Sequence, residues 1–331
     1  MMRSVLRGLV LLLVGVVLAL GAVWVVLPGE RIERPAAFRD SALPDDLDGW
    51  LADAEASVPD LRADAAKRIV WAGAPGDRTD LALVFLHGFS ASPLELDPVL
   101  ARTAEALGAN LFYQRLAGHG RDGAAMAEPA AEDWLDDVAE AMAVGRRLGD
   151  RVVMVGSSTG ATLAAALAVD PLLAAHRRDL HGVALVSPNF GVAKPAAELL
   201  TWPAARLWAP LVAGKTRRFE PLNASHAEHW TESYPTVAAI PMQVLVEHVR
   251  ARDWSRAAVP ALFYFSPDDR VVDPAATEAV IDLWGGPTTV ERVAPMEGTD
   301  PSNHVIAGDI LSPARTDAAI ALLTGWAKAL P

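Results

Sequence analysis

The chain has 331 residues, 52% of them hydrophobic, 24 prolines, no cysteine and a net charge of −12. This describes a folded chain with no low-complexity tract, and it excludes disulfides, thiolate metal sites and a cysteine nucleophile. Residues 1–34 hold four arginines against two glutamates, so the remainder carries −14; an acidic body without a basic stripe argues against nucleic-acid binding.

Residues 9–27 are apolar and uncharged, preceded by Arg3 and Arg7. As a helix they would rise about 29 Å, close to the ~30 Å hydrocarbon core of a bilayer. The arginines would stay cytoplasmic, Trp24 would sit near the far interface, and Pro28-Gly29 would end the helix. Residues 1–29 are therefore expected to be a single-pass signal anchor in the cytoplasmic membrane. The alternative is a leader cleaved near Ala19-Leu20-Gly21, leaving a secreted or periplasmic protein. Both place the main domain outside the cytoplasm.

Residues 30–66 read as a connector rich in proline and aspartate with one helix, 47–56. From residue 67 to the end at 331, strands and helices alternate. Strands are expected at 67–71, 81–86, 110–114, 152–155, 183–186, 261–265 and 288–293, with helices at 98–107, 131–148, 161–169 and 314–330. Asp97 is the expected cap of the first of these helices, with Pro98 at its first position. Alternation of this kind predicts an α/β fold: a mostly parallel central sheet with helices on both faces. Residues 189–255 break the pattern. They hold two amphipathic segments and four tryptophans, too long a stretch for one crossover. An inserted helical cap is expected there, before the strand at 261–265.

Gly156-Ser157-Ser158-Thr159-Gly160 stands between an apolar strand and an Ala-rich helix. A G-x-S-x-G at a strand-to-helix junction is a nucleophile elbow, whose sharp turn requires Gly156 and Gly160 and presents the hydroxyl of Ser158 above the sheet. A serine needs a base, and the base needs an orienting acid. The strand at 261–265 leads into Asp268-Asp269, and the strand at 288–293 leads toward Asn303-His304. Ser158, Asp269 and His304 thus form a candidate nucleophile, acid and base in that order, with Asp268 as the rival acid and Asp273 as the cap of the next helix. An oxyanion hole is expected from the backbone N–H groups of Phe89 and Thr159. His87 and His119 read as structural braces.

Leu86-His87-Gly88-Phe89-Ser90-Ala91-Ser92-Pro93, Arg115-Leu116-Ala117-Gly118-His119-Gly120, Gly-Ser-Ser-Thr-Gly, Asp269-Arg270-Val271-Val272 and Asn303-His304 together resemble the α/β-hydrolase superfamily. The nearest branch is that of carboxylesterases and monoacylglycerol-lipase-like, or serine aminopeptidase-like, enzymes. The resemblance spans about residues 67–330. It departs at Ala161, where a second glycine is common, and at Arg121, where a serine is common. It implies ester hydrolysis through an acyl-enzyme, on a small ester or lipid-derived substrate, with no cofactor and no metal. A peptidase, thioesterase or acyltransferase would use the same residues, and a catalytically silent envelope binding protein is the non-enzymatic alternative.

Overall fold

The computed structural model describes residues 2–27 and 29–331, and within the first helix the side chains of residues 5–19, 21, 22 and 26. That helix, α1 (Met2–Val26), carries the apolar N-terminal run. The structure does not support the expected membrane span: among the described residues no helix is long and apolar enough to cross a membrane. The side chain of Trp24, and Pro28 entirely, lie outside the described residues.

The connector is folded onto the body. Its helix α2 (Leu47–Ala56) is capped by Asp46, which accepts the Gly49 N–H at 2.9 Å. Ile32, Leu43, Leu47 and Leu51 are buried in the main core. Arg34 and Asp136 pair at 2.8 Å, and Glu55 pairs with Arg115 in a buried bidentate bridge, at 2.7 and 2.8 Å.

The body then alternates. β1 (Arg68–Val70), β2 (Thr79–Leu86), α3 (Val99–Leu107), β3 (Asn110–Gln114), α4 (Ala131–Leu148), β4 (Gly149–Ser157), α5 (Thr159–Val169) and β5 (Leu180–Val186) follow in order. After β5 the chain leaves the sheet through α6 (Ala205–Ala213), β6 (Thr216–Arg218), α7 (Ala224–His229), β7 (Ser233–Pro235) and α8 (Ala239–Arg250). It returns with β8 (Ala261–Phe265), α9 (Pro274–Leu283), β9 (Thr288–Arg292) and α10 (Thr316–Lys328). Among the described residues seven strands form one sheet in the order β1-β3-β2-β4-β5-β8-β9, parallel except for β1 at the edge.

The two-residue period of the strands divides the core. Ala82, Val84 and Leu86 of β2 and Val152 and Met154 of β4 face one way, into a layer with Trp134, Leu135 and Val138 of α4 and the fully buried α5. Leu83, Phe85, Val153 and Val155 face the other way, against Val99, Leu100 and Ala104 of α3 and Leu323 and Trp326 of α10. The central strands are apolar over Ala82–Leu86 of β2 and Val152–Val155 of β4, where both faces are covered, and polar only at their starts and at the end of β4.

Two expectations are corrected in detail. The segment between β5 and β8 is not purely helical, since β6 and β7 form a small antiparallel pair. Helix α3 begins at Val99 with Pro98, not Asp97, as its cap residue, and Pro98 makes no side-chain capping bond. Asp273 does cap α9, accepting the Ala275 N–H at 2.9 Å ahead of Pro274.

Candidate active site

The turn from β4 into α5 places Ser158 at φ 50° and ψ −113°, backbone that a side chain adopts only under constraint. The constraint is visible. The Ser158 N–H donates to the Val186 carbonyl at 2.9 Å, and its carbonyl accepts the Thr162 N–H at 3.0 Å and the Asn189 N–H at 3.3 Å. A methyl group on Gly156 would overlap the carbonyl of Gly160, and one on Gly160 would overlap the Leu86 carbonyl. The close approach of helix to strand therefore depends on both glycines.

Ser158 Oγ lies 2.9 Å from His304 Nε2, and His304 Nδ1 lies 2.7 Å from Asp269 Oδ2. The three residues come from the ends of β4, β8 and the loop after β9, the carboxyl edge of the parallel sheet, where open α/β sheets assemble their sites. Asp269 Oδ1 accepts the N–H groups of Val271 at 2.7 Å and Val272 at 3.0 Å, which orients the carboxylate. Asp268 is not brought to the histidine; its carbonyl accepts from Asn303 Nδ2 at 3.3 Å. Ser158, Asp269 and His304 are all at least nine-tenths buried. Burial alone would lower the His304 pKa, but the hydrogen bond and charge of Asp269 outweigh it, and the ring is held above the usual 6.5.

The loop after β2 is held by buried side chains. The Gly88 N–H donates to Glu95 Oε2 at 2.7 Å, and the Ser90 N–H donates to His119 Nε2 at 3.1 Å. Between them, the Phe89 N–H has no acceptor among the described residues, nor has that of Thr159 at the start of α5. His87 Nδ1 bonds the Gly88 carbonyl at 2.8 Å, while its Nε2 accepts the Leu116 N–H at 3.1 Å. Burial pushes the pKa of His87 well below 6.5 and that of His119 down to about 4, so both rings are neutral braces.

Two carboxylates at the site escaped the sequence reading. Asp300 Oδ2 accepts the backbone N–H groups of His304 at 3.1 Å and Val305 at 2.9 Å, and Oδ1 accepts that of Ser302 at 2.9 Å. The run Asp300-Pro301-Ser302 is itself a turn signal, and could have been found. Glu95 is 2% exposed, and nothing in Ser92-Pro93-Leu94-Glu95 announces it.

The chain between β5 and β8 lies over this loop. The Thr231 N–H donates to the Ser90 carbonyl at 2.7 Å, and Tyr234 meets Phe89 edge-on at 5.3 Å. Its tryptophans differ in use. Trp230 and Trp254 are core, Trp254 stacked on Trp284, whereas Trp202 is half exposed. A cavity of about 250 Å³ is lined by Arg31, Ile32, Thr201, Val244 and His248, and shares no residue with the Ser158 site. Among the described residues no group of three His, Asp or Glu side chains is arranged to hold a metal ion.

Residues 77–290 match the family model described as serine aminopeptidase, S33. The chain belongs to this family. It is a hydrolase of the α/β-hydrolase superfamily. Among solved structures it is similar to that reported for LipS and LipT, two metagenome-derived lipolytic enzymes, at 19% identity and a TM-score of 0.60 over 80% of this chain and 99% of the other. It is similar to a Saccharomyces cerevisiae monoglyceride lipase at 12% identity and a TM-score of 0.54, covering 79% and 90%. A Paleococcus ferrophilus monoacylglycerol lipase matches at 11% identity and 0.52, covering 78% and 98%. Likeness at these identities shows the fold. Among curated proteins no relative matches. Arg121, one of the two departures from the common pattern, donates to the Pro59 carbonyl at 2.9 Å and so ties the loop to the connector.

Proposed function

We propose that this hydrolase cleaves carboxylic esters through an acyl-enzyme on Ser158. The observation that carries the reading is the hydrogen-bonded chain from Ser158 Oγ through His304 to Asp269, at 2.9 and 2.7 Å. His304, protonated at Nδ1 and bonded to Asp269, takes the hydroxyl proton at Nε2 as Ser158 Oγ attacks the ester carbonyl. The oxyanion that forms accepts from the N–H groups of Phe89 and Thr159. His304 then gives its proton to the departing alcohol. A water loses a proton to the same nitrogen and attacks the acyl carbon; as the acyl–oxygen bond breaks, His304 passes that proton to Ser158 Oγ, releasing the acid and restoring the hydroxyl and the neutral ring. Asp269 stays ionised throughout and stabilises the imidazolium.

Residues 189–255 would serve as the cap over this site, with Thr231 and Tyr234 against the Ser90 and Phe89 loop. The lipolytic and monoacylglycerol-lipase neighbours favour a small ester or a lipid-derived one as substrate. The family description, serine aminopeptidase, is the specific observation for a second reading, hydrolysis of a peptide amide by the same residues.

The test is to treat the full chain with a fluorophosphonate and map the adduct. Labelling at Ser158 that disappears in Ser158→Ala is expected, together with a loss of esterase kcat of at least about 10³-fold. Undiminished esterase activity in Ser158→Ala would end the proposal. A panel of p-nitrophenyl esters of increasing length beside peptide amides separates the two substrate readings.

A further inference from the structure

Glu95 has no part in the acyl-transfer steps above, yet its carboxylate lies at their centre. It is 2% exposed and accepts the Gly88 N–H at 2.7 Å, and the hydroxyl of Ser157, the residue before Ser158, is among the groups that favour its charged form. A methyl built on Gly88 would stand 2.9 Å from Glu95 Oε1 and 3.3 Å from Ser158 Cβ, so carboxylate and nucleophile flank the same glycine. A buried carboxylate is expensive to maintain unless its oxygens are satisfied. An isolated acidic side chain behind a turn would be replaced at little structural loss by an apolar one. Here it holds the glycine that stands directly against the Ser158 side chain, where the two segments that must be held in register meet.

We propose that Glu95 is a positioning residue for acyl transfer: it ties the loop bearing the Phe89 N–H to the elbow bearing Ser158, and so sets the oxyanion donor relative to the nucleophile. The proposal rests on the serine-hydrolase reading of Ser158. Its physical basis is that an oxyanion donor acts only when aimed, within a few tenths of an ångström, at the place where charge develops. The Phe89 N–H is flanked by two anchored neighbours. On one side Gly88 is held by Glu95 from below, and on the other Ser90, at φ 65°, is held by His119. Without Glu95, the Gly88 N–H becomes a buried orphan, which the loop can satisfy only by turning. That rotation carries the adjoining Phe89 peptide with it.

Burial pushes the Glu95 carboxyl up to about 7, while the Gly88 N–H, the charge of His304 and the Ser157 hydroxyl oppose the rise. Its tie to Gly88 needs an acceptor oxygen, which the neutral acid retains. The conservative amide should therefore substitute for it, and an apolar side chain of the same length should not.

The experiment compares Glu95→Gln and Glu95→Met with the wild-type full chain. Active sites are counted by fluorophosphonate titration, and kcat per titrated site and KM are measured on a short p-nitrophenyl ester. Amide hydrogen exchange of residues 87–90 is followed in parallel. For Glu95→Met a fall in kcat of about 10- to 100-fold, with KM within twofold and faster exchange at Gly88, is expected. Glu95→Gln should recover kcat to within about fivefold and keep the wild-type exchange. A merely structural role would lower the folded fraction or Tm and leave kcat per site unchanged, and that result overturns the proposal. So does Glu95→Gln losing as much kcat as Glu95→Met. Glu95→Asp, which draws the carboxylate back by one methylene, gives the same comparison if the methionine variant does not fold. Failure of the wild-type chain to label would sink the hydrolase reading instead, while unchanged exchange at Gly88 in Glu95→Met would sink this one.

Discussion

Asp269 meets His304 with one carboxylate oxygen, 2.7 Å from Nδ1, and gives its other oxygen to the N–H groups of Val271 and Val272. The adjacent Asp268 has no bond to that ring, and its carbonyl is occupied by Asn303. Asp269→Asn should therefore lower kcat by about 10²- to 10⁴-fold, because the amide no longer fixes the productive tautomer of His304. Asp268→Asn should stay within a few-fold of wild type. Steady-state kinetics on a p-nitrophenyl ester decide this, and the reverse order would reassign the acid.

In the proposed mechanism His304 must be neutral at Nε2 to accept the Ser158 proton. Burial lowers its pKa, but the Asp269 bond prevails and raises it above 6.5. The acid limb of kcat/KM should thus have its midpoint above 6.5, with activity falling as pH drops through it. The stability term has the opposite sense. The imidazolium–carboxylate pair stabilises the fold below the unfolded pKa, and the gain disappears as pH rises through the folded one. A pH–rate profile with its acid midpoint below 6.5 would contradict this.

The fold was legible where the pattern is periodic and apolar. The strands at 110–114 and 261–265 and the helices at 47–56 and 131–148 have the bounds expected of them, because these runs are uninterrupted and their ends carry turn or cap residues. That Ser158, Asp269 and His304 would lie together was readable because each follows a strand that the parallel sheet brings to one edge. Other features depend on contacts between segments far apart in the chain. The β6–β7 pair is three residues long on each side, without alternation to mark it. The connector has too few apolar residues to look like body, yet Leu47 and Leu51 reach the core, and its acids Asp40 and Glu55 meet Arg146 and Arg115 of the body. The length of the apolar N-terminal run and the arginines before it suggested a membrane span, but among the described residues no helix is long and apolar enough to cross a membrane. Glu95 acts through the backbone N–H of Gly88, seven residues back and across a loop, and no residue pattern announces such a partner, whereas Asp300 gathers the amides of its own turn, which Asp300-Pro301-Ser302 does signal.

Asp300 serves the loop of His304 as Glu95 serves that of Phe89. It gathers the N–H groups of Ser302, His304 and Val305, and the Ser302 hydroxyl at 2.6 Å. Burial raises its pKa, but those hydrogen bonds overcome the effect and hold it below the ordinary carboxylate value. Asn303, at φ 57°, sits within the turn so formed. Asp300→Ala leaves these donors unpaired and frees the ring of His304 to drift from Ser158. A fall in kcat of about 10-fold or more is expected, along with a loss of about 1–3 kcal/mol in stability. Urea denaturation and kinetics on the same preparation would show both. Unchanged kcat in a destabilised variant would mean that the turn matters for folding alone.

Glu55 and Arg115 join the connector to the body by two bonds, 2.7 and 2.8 Å long, with both side chains only 7% exposed. Glu55 also accepts the Lys67 N–H at 2.9 Å, so one carboxylate ties α2, the start of β1 and the loop of Gly118-His119-Gly120. Burial alone would raise the Glu55 pKa, but Arg115 and the Lys67 amide more than offset it, and the pKa is lowered. Its stabilising contribution is thus present above the unfolded carboxyl pKa and is lost as pH falls through the folded one. Glu55→Ala removes one partner and leaves a buried guanidinium uncompensated, which costs about 3–5 kcal/mol. Replacing both, as in Glu55→Met with Arg115→Met, should cost less than Glu55→Ala alone, because no charge remains unpaired. The His119 ring braces Ser90 from the same loop, so the single variant should also lose esterase activity at temperatures where it is still folded. Urea denaturation of the two variants at neutral pH measures the difference, and a double variant less stable than the single one would show that the pair is a net source of stability.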